Sequence, residues 1–285
     1  MRRSQRARIA EYAARAVTGA AAVLVIATAL GVLGYLVVRG IGAIDLRFLT
    51  QPPSSTGNGG GIGPAIVGTF YLVVGTAFFA LPIGLGAGIY LAEYAPRNTA
   101  TRMIRLAIAN MAGVPSIVYG LFGLAVFVIL ARFKTSLLSG SLTLACLTLP
   151  VVITSTEEAL RQVPRDLRQA SLALGASRLR TVVRVVLPAA APGIVTGSIL
   201  GLSRAAGETA PILFTAAAFS ARRLPTSPLS PVMALPYHLY VMATQVPNPS
   251  TRVIWGTALV LVGGVSIVNI LAAGWRSARR KRIRW

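Results

Sequence analysis

The sequence predicts an all-α, polytopic membrane protein with six transmembrane helices. Of its 285 residues 54% are apolar, and long intervals carry no charged side chain. About 20 apolar residues in an α-helix match the roughly 30 Å hydrocarbon layer of a bilayer. The uncharged intervals are 16–38, 48–92 (ending in the dense apolar run 62–92), 106–131, 135–156 and 253–275. A further apolar stretch, 192–219, contains only the charges of Arg204 and Glu208.

The basic residues predict the orientation of these helices. Lys and Arg number 28 against seven acidic residues, a net charge of +21 that would also suit nucleic-acid binding. Most of them precede the first span, separate spans two and three, fill the interval 157–190 or follow the last span. Because cytoplasmic loops are enriched in Lys and Arg, both termini and 157–190 are predicted to be cytoplasmic. The charge therefore indicates topology and contact with anionic lipid, and not nucleic-acid binding.

Several functional classes are excluded by what the chain lacks. Its single cysteine, Cys146, and single histidine, His238, exclude an internal disulfide and a Cys/His metal cluster. The glycine-rich segment 50–64 is not followed by Lys-Ser/Thr, so we interpret it as a flexible outer linker and not a phosphate loop. Gly84 to Gly88 lies inside an apolar span, which favours a helix-packing face over a dinucleotide fingerprint. We therefore predict no catalytic residue, no metal and no cofactor.

The interval 157–190 is patterned as two short helices. Asp166 is placed to begin the first, because an anion stabilises a helix N-terminus, and apolar residues follow at helical spacing. Gly175 is predicted to end that helix in the left-handed conformation. A second basic amphipathic stretch, 179–187, leads into the next span. The pattern favours a compact docking element, and the alternative is a segment lying on the membrane surface. Further on, 234–242 is predicted to form a short helix on the outer surface.

Within this interval, 169–175 reads Gln-Ala-Ser-Leu-Ala-Leu-Gly, and nine residues later 185–188 reads Val-Val-Leu-Pro. This resembles the EAA motif of bacterial ABC-importer permeases, which reads Glu-Ala-Ala, three residues, Gly, nine residues, Ile-x-Leu-Pro. The glycine and the Leu-Pro keep their spacing, whereas Gln169, Ser171 and Val185 depart from the motif. In that family the loop docks into a cleft of the ATPase subunit. The resemblance implies a coupling role for Gln169, Ala170, Ser171, Leu174, Gly175, Leu187 and Pro188.

Segment 203–211 reads Ser-Arg-Ala-Ala-Gly-Glu-Thr-Ala-Pro, and it resembles the fifth-span signature of phosphate-specific permeases. Segments 113–118, 157–164 and 234–239 are similar to the A subunit of that family. The resemblance implies the type I ABC-importer permease fold and a non-catalytic subunit in the bacterial inner membrane. The implied partners are a homologous C-type permease, two ATP-binding subunits that hydrolyse ATP and an extracytoplasmic phosphate-binding protein.

Arg204 and Glu208 are predicted to share one helical face, because residues four apart are neighbours on a helix. A charge at bilayer depth costs a few kcal/mol, so it normally faces a bundle interior or a water-filled path. Small residues at four-residue spacing from Gly193 to Ala205 predict close approach of another helix. We hypothesise that the guanidinium contacts phosphate; the alternative is an ion pair that only fixes helix packing. The predicted pathway residues are Arg204, Glu208, Thr209 and Ser203.

Three parts of the chain are predicted. Residues 1–61 form a cytoplasmic arm, the first transmembrane helix and the outer linker, 62–275 form the permease core, and 276–285 form a basic cytoplasmic tail. The alternative functions are a permease for phosphonate, sulfate or molybdate, and a membrane scaffold or phosphate-sensing partner of a signalling kinase. A membrane enzyme is disfavoured, because the sequence clusters no His, Cys or carboxylate residues.

Overall fold

The computed structural model describes residues 2–54, 59–218 and 224–282, and the regular structure within these ranges is helical. The α-helices in chain order are α1 Arg2–Gly40, α2 Leu46–Thr50, α3 Gly63–Ile89, α4 Thr99–Ala112, α5 Ser116–Gly123, α6 Leu137–Arg161, α7 Arg165–Ala173, α8 Arg178–Thr181, α9 Leu187–Gly207, α10 Ala210–Thr215, α11 Leu235–Thr244 and α12 Thr251–Arg282. Shorter turns continue four of them: a 3₁₀ turn follows α1, and π-helical turns follow α3 (Tyr90–Tyr94), α5 (Leu124–Leu130) and α8 (Val182–Val186). The predicted all-α class is confirmed.

The membrane-length helices agree with four of the predicted spans, whereas the third is bent and the fifth has other bounds. Within the described ranges, five helices are long and apolar enough to cross a membrane: Ala10–Ala43, Gly63–Tyr94, Leu137–Arg161, Arg178–Gly207 and Thr251–Ser277. The predicted span 106–131 is instead a pair, Thr99–Ala112 and Ser116–Leu130, that meets at 100°. Pro115 explains the break, because proline lacks an N–H and disfavours a helical conformation at the residue before it. With this pair counted as one span, the number is six.

The fifth predicted span, 192–219, is wrong as one helix. The helix begins earlier, at Arg178, and ends at Gly207, and the predicted end at 219 lies outside the described residues. Pro211 explains the end, because its ring would clash with the carbonyl of Gly207 in a continuous helix. Glu208 instead takes an extended conformation with φ −73° and ψ 129°. Helix α6 ends at 161, beyond the predicted start of the loop 157–190. The loop between the two spans is therefore shorter than predicted.

Two other predicted segments are more ordered or more buried than expected. The linker is hydrogen-bonded where it is described: the Ser54 N–H donates to the Gly59 carbonyl at 2.9 Å, and the Ile62 N–H donates to the Phe48 carbonyl at 2.7 Å. A flexible linker is therefore wrong for these residues, and 55–58 lie outside the described ranges. The predicted helix at 234–242 is confirmed as α11, but it is packed inside, with His238 only 2% exposed. Burial lowers the pKa of His238 to about 4, so its ring is neutral at pH 7.

Helix α6 lies between α3 and α9, and small residues bring the three together. A Cβ on Gly84 of α3 would lie 2.6 Å from Cγ1 of Val152, and one on Gly197 of α9 would lie 2.3 Å from Cβ of Ser155. Real Cβ atoms do not approach so closely, so a side chain at either glycine would push the helices apart. Both predicted packing faces are confirmed, because each lets its helix approach the backbone of α6. The small-residue stripe of α9 therefore fixes which face of that helix packs.

Replacing Gly197 with leucine should destabilise this packing. Overpacking a filled helix interface costs about 1–3 kcal/mol, because backbone or neighbouring side chains must shift. We expect a lower thermal midpoint and a lower yield of the detergent-purified protein. Gly264→Leu on α12 is the matched control, since nothing lies within 4 Å of a Cβ built there. Equal midpoints for the two variants would contradict the packing of α9 on α6.

Candidate functional site

Arg204 and Glu208 meet at the end of α9. Arg204 lies in the last helical turn, where a cation is favourable beside the helix C-terminus. Its Nε donates to Oε1 of Glu208 at 3.3 Å. Glu208 follows the helix, and its own N–H donates to the Ala205 carbonyl at 3.3 Å. The prediction that both residues share one helical face is therefore wrong, although their side chains form an ion pair.

The Arg204 guanidinium has donors to spare. Its side chain is 50% exposed, whereas that of Glu208 is only 15% exposed. Among the described residues, the guanidinium donates one side-chain hydrogen bond, from Nε. Arginine carries five N–H donors in a planar fork, so the amino groups are available to a ligand. The pair thus presents a cationic, hydrogen-bonding group to its surroundings and holds the carboxylate behind it.

The cavity beside Glu208 does not accommodate an anion. Its volume is about 10 Å³, about the least space that holds a single water molecule. The lining is mainly apolar, from Leu72, Ala205 and Ile212, with Thr69 as a polar member. A larger anion would therefore have to meet the pair from the exposed side of the guanidinium.

The other two predicted pathway residues make no described hydrogen bond to this pair. Ser203 is 7% exposed, and within the described ranges its Oγ has no hydrogen-bond partner. Thr209 lies in the connection to α10, and its side chain does not cap that helix. The structure therefore brings two of the four predicted pathway residues together and buries Ser203 in the helix packing.

Tyr119 is a neighbour of the pair that sequence reasoning missed. Its hydroxyl donates to the Met111 carbonyl at 2.9 Å, across the bend between α4 and α5. Tyr119 is 8% exposed and lies within electrostatic range of Arg204. No local motif marks this contact, because it exists only once the bend brings α5 against α10, which follows Arg204 and Glu208 in the chain.

The predicted glycine turn of the loop is present. Gly175 has φ +78° and follows α7. Its N–H donates to the Leu172 carbonyl at 2.9 Å, and the Ala176 N–H donates to the Ser171 carbonyl at 3.2 Å. These two bonds form a complete Schellman motif, which satisfies the last carbonyls of the helix. The Ser171 hydroxyl lies 2.9 Å from that of Thr181 and joins α7 to α8.

The α7–α8 element (residues 165–181) exposes apolar side chains. Leu174 is 89% exposed, Leu179 is 65% exposed and Leu172 is 48% exposed. Of the predicted coupling residues, Gln169, Ala170, Gly175 and Pro188 are also exposed, whereas Leu187 packs against the cluster of Val186 and Ala190. An exposed apolar tip on a short structured loop is typical of a protein-interaction surface.

Four arginines and two glutamates tie this element and its neighbours together, and sequence reasoning missed these pairings. Glu93 pairs with Arg168 at 2.7 Å, and Glu157 pairs with Arg105 at 2.9 Å and Arg161 at 2.7 Å. Arg178 donates to the carbonyl of Glu93. The sequence does place acidic residues at the ends of spans two and four. Counting charges, however, does not indicate which arginine each of them meets.

These features define a multi-pass helical membrane protein with a surface loop suited to contact with another protein. Residues 84–285 match the family described as "Binding-protein-dependent transport system inner membrane component". Because this match covers more than half of the sequence, the chain belongs to that family.

Relatives and solved structures agree with this membership. The chain is 38% identical over 280 residues to the "Probable ABC transporter permease protein YqgI" of Bacillus subtilis (strain 168), covering 94% of this chain and 95% of that one. It is 37% identical over 226 residues to the "Phosphate transport system permease protein PstA 1" of Mycobacterium tuberculosis (strain ATCC 25618 / H37Rv), covering 79% and 73%. An inward-facing structure of the MetNI methionine ABC transporter matches with a TM-score of 0.60 and 20% identity, covering 75% of this chain and 94% of that one. The predicted ABC-importer permease fold is thereby confirmed.

Proposed function

We propose that the chain is a transmembrane permease subunit of an ATP-driven phosphate importer. Family membership and the relative named as a phosphate transport permease support this function. The observation that carries the proposal within the chain is the Arg204–Glu208 pair, whose guanidinium is half exposed and keeps most of its donors free. A planar guanidinium binds two oxygens of a phosphate at once, which suits it to a small tetrahedral anion.

Glu208 accounts for selectivity in this proposal. Its carboxylate offsets the arginine charge when no anion is bound, which lowers the cost of a charge among membrane helices. A carboxylate is also a hydrogen-bond acceptor, so it accepts the proton of a phosphate hydroxyl. Sulfate carries no such proton at neutral pH and would instead meet a repelling negative charge. The pair thus favours a protonated oxyanion.

The α7–α8 element is the proposed contact with an ATPase subunit. It would lie in the cytoplasm together with both chain termini, as the distribution of basic residues predicts. The chain would supply half of the pathway, with a homologous permease supplying the other half and a second ATP-binding subunit docking there. An extracytoplasmic phosphate-binding protein would deliver the anion to the opposite face. The division into an arm (1–61), a permease core (62–275) and a tail (276–285) belongs to the same proposal.

Phosphate uptake by the complex tests this function. The purified complex is reconstituted into liposomes with ATP inside and the phosphate-binding protein outside, and uptake of radiolabelled phosphate is measured with a tenfold excess of competing anions. We expect ATP-dependent uptake that arsenate inhibits and that sulfate and molybdate, which carry no proton at neutral pH, do not. A complex with a hydrolysis-deficient ATPase subunit is the control for leak. Equal inhibition by sulfate or molybdate would instead assign the chain to another oxyanion.

A further inference from the structure

Glu93 holds both arms of the α7–α8 element against the end of one transmembrane helix. It lies in the π-helical turn Tyr90–Tyr94 that continues α3, and its side chain is only 10% exposed. Its carboxylate accepts a hydrogen bond from Nη2 of Arg168 in α7 at 2.7 Å. Its backbone carbonyl accepts from Nη2 of Arg178, the first residue of α8. One residue therefore receives a guanidinium from each arm.

The Arg168 guanidinium also closes the end of α6. It donates to the carbonyls of Leu160 at 2.8 Å and Val163 at 2.6 Å. The last carbonyls of a helix lack intrahelical partners, and a basic side chain satisfies them. Since Arg168 is only 21% exposed, losing the Glu93 carboxylate would leave a partly buried charge without its counter-ion. The pairing thus joins α3, α6 and α7 at one point.

A third arginine, Arg105, also bonds to this π-helical turn. Arg105 of α4 donates from Nη2 to the Leu91 carbonyl at 2.8 Å and from Nε to Glu157 of α6 at 2.9 Å. The Arg178 guanidinium additionally lies 5.2 Å from the ring centre of Tyr94. π-helical turns often occur at functional positions of helices. In this turn the backbone carbonyls of Leu91 and Glu93 each accept a hydrogen bond from an arginine. The turn is consequently the junction between the α7–α8 element and three membrane helices.

We infer that Glu93 is a positioning residue that transmits movement of the α7–α8 element to α3 and the transport path. The inference rests on the proposed docking of that element to an ATPase subunit. Besides its packing on α8 and the turn after it, α7 places Leu167 in an apolar cluster that Leu85 and Ile89 of α3 also join. The bonds to Glu93 are the polar link between the element and the end of α3. Because α8 continues into α9 as one membrane span, a weakened link lets the element and α9 move with the ATPase while α3 stays behind.

The Glu93→Gln variant of the full complex tests this inference, with the number of ATP molecules hydrolysed per phosphate transported as the readout. Glutamine keeps the size of the side chain and removes its charge. We expect the complex to assemble and to hydrolyse ATP, while the ratio rises about tenfold, within the usual range of coupling between sites. Glu158→Gln is the matched control, because Glu158 is exposed at the end of α6 and forms no ion pair within the described ranges; its ratio should equal that of the wild type.

Further variants separate the possible outcomes. Arg178→Gln removes one exposed arm of the link and should raise the ratio to a smaller extent, which decides the matter if Glu93→Gln fails to assemble. An unchanged ratio in assembled Glu93→Gln overturns the inference. So does a proportional loss of hydrolysis and uptake, because that indicates a purely structural role. If the wild-type complex transports no phosphate, the proposed function itself fails; if it transports and Gly175→Pro uncouples it but Glu93→Gln does not, only this inference fails.

Discussion

Replacing Arg204 with lysine should lower the rate of ATP-driven phosphate uptake about 30-fold. Lysine keeps the positive charge, so the ion pair with Glu208 and the helix packing around it are retained. What it loses is the planar fork that reaches two oxygens of one anion. A hydrogen bond to a charged group is worth about 2 kcal/mol, and losing one in the transport step corresponds to this factor. If Arg204 only fixed the helices, lysine would serve nearly as well.

The measurement is the initial uptake rate of reconstituted complexes at equal protein amounts. Arg252→Lys is the matched control, because Arg252 also forms an ion pair, with Asp45 at 3.0 Å, but both side chains are more than half exposed. Such exposed pairs contribute little, so this variant should transport at the wild-type rate. Full-rate uptake by an assembled Arg204→Lys complex would contradict contact between Arg204 and phosphate.

Hydropathy predicted the membrane helices because apolar length is a local property of the chain, but it did not predict where they bend. Pro82 and Pro150 lie inside α3 and α6 without ending them, whereas Pro115 and Pro211 mark the ends of α4 and α9. A proline in a membrane helix is tolerated when neighbouring groups satisfy the freed backbone carbonyl. Those neighbours come from other helices, so the residue type alone cannot decide the outcome.

The α7–α8 element likewise has one feature that depends on local sequence and one that depends on tertiary packing. Its glycine turn was predictable, because a helix end in the left-handed conformation depends on Gly175 and the residues beside it. The pairing of Glu93 with Arg168 was not, since it joins residues 75 positions apart through tertiary packing. Counting arginines indicates the side of the membrane on which a loop lies, but it says nothing about which carboxylate each guanidinium meets.

Replacing Gly175 with proline should uncouple ATP hydrolysis from transport and reduce phosphate uptake at least about tenfold. Proline fixes φ near −65°, whereas Gly175 has φ +78°, so the turn between α7 and α8 must change course. Proline also lacks the N–H that donates to the Leu172 carbonyl. Nothing lies within 4 Å of a Cβ at this position, so the effect comes from the backbone and not from a steric clash. The packing of the membrane helices does not depend on this turn, so insertion of the variant into the membrane should proceed normally.

Comparing two substitutions at this position isolates the backbone conformation. Gly175→Asn adds a side chain but tolerates the left-handed region, so it should retain coupling close to that of the wild type. The readout is ATP hydrolysis with and without phosphate-loaded binding protein, measured beside uptake in the same liposomes. Gly175→Pro should hydrolyse ATP at a rate that no longer responds to the loaded binding protein, whereas Gly175→Asn should respond. Normal stimulation in Gly175→Pro would refute docking through this turn, because a distorted backbone would then leave the contact with the ATPase intact.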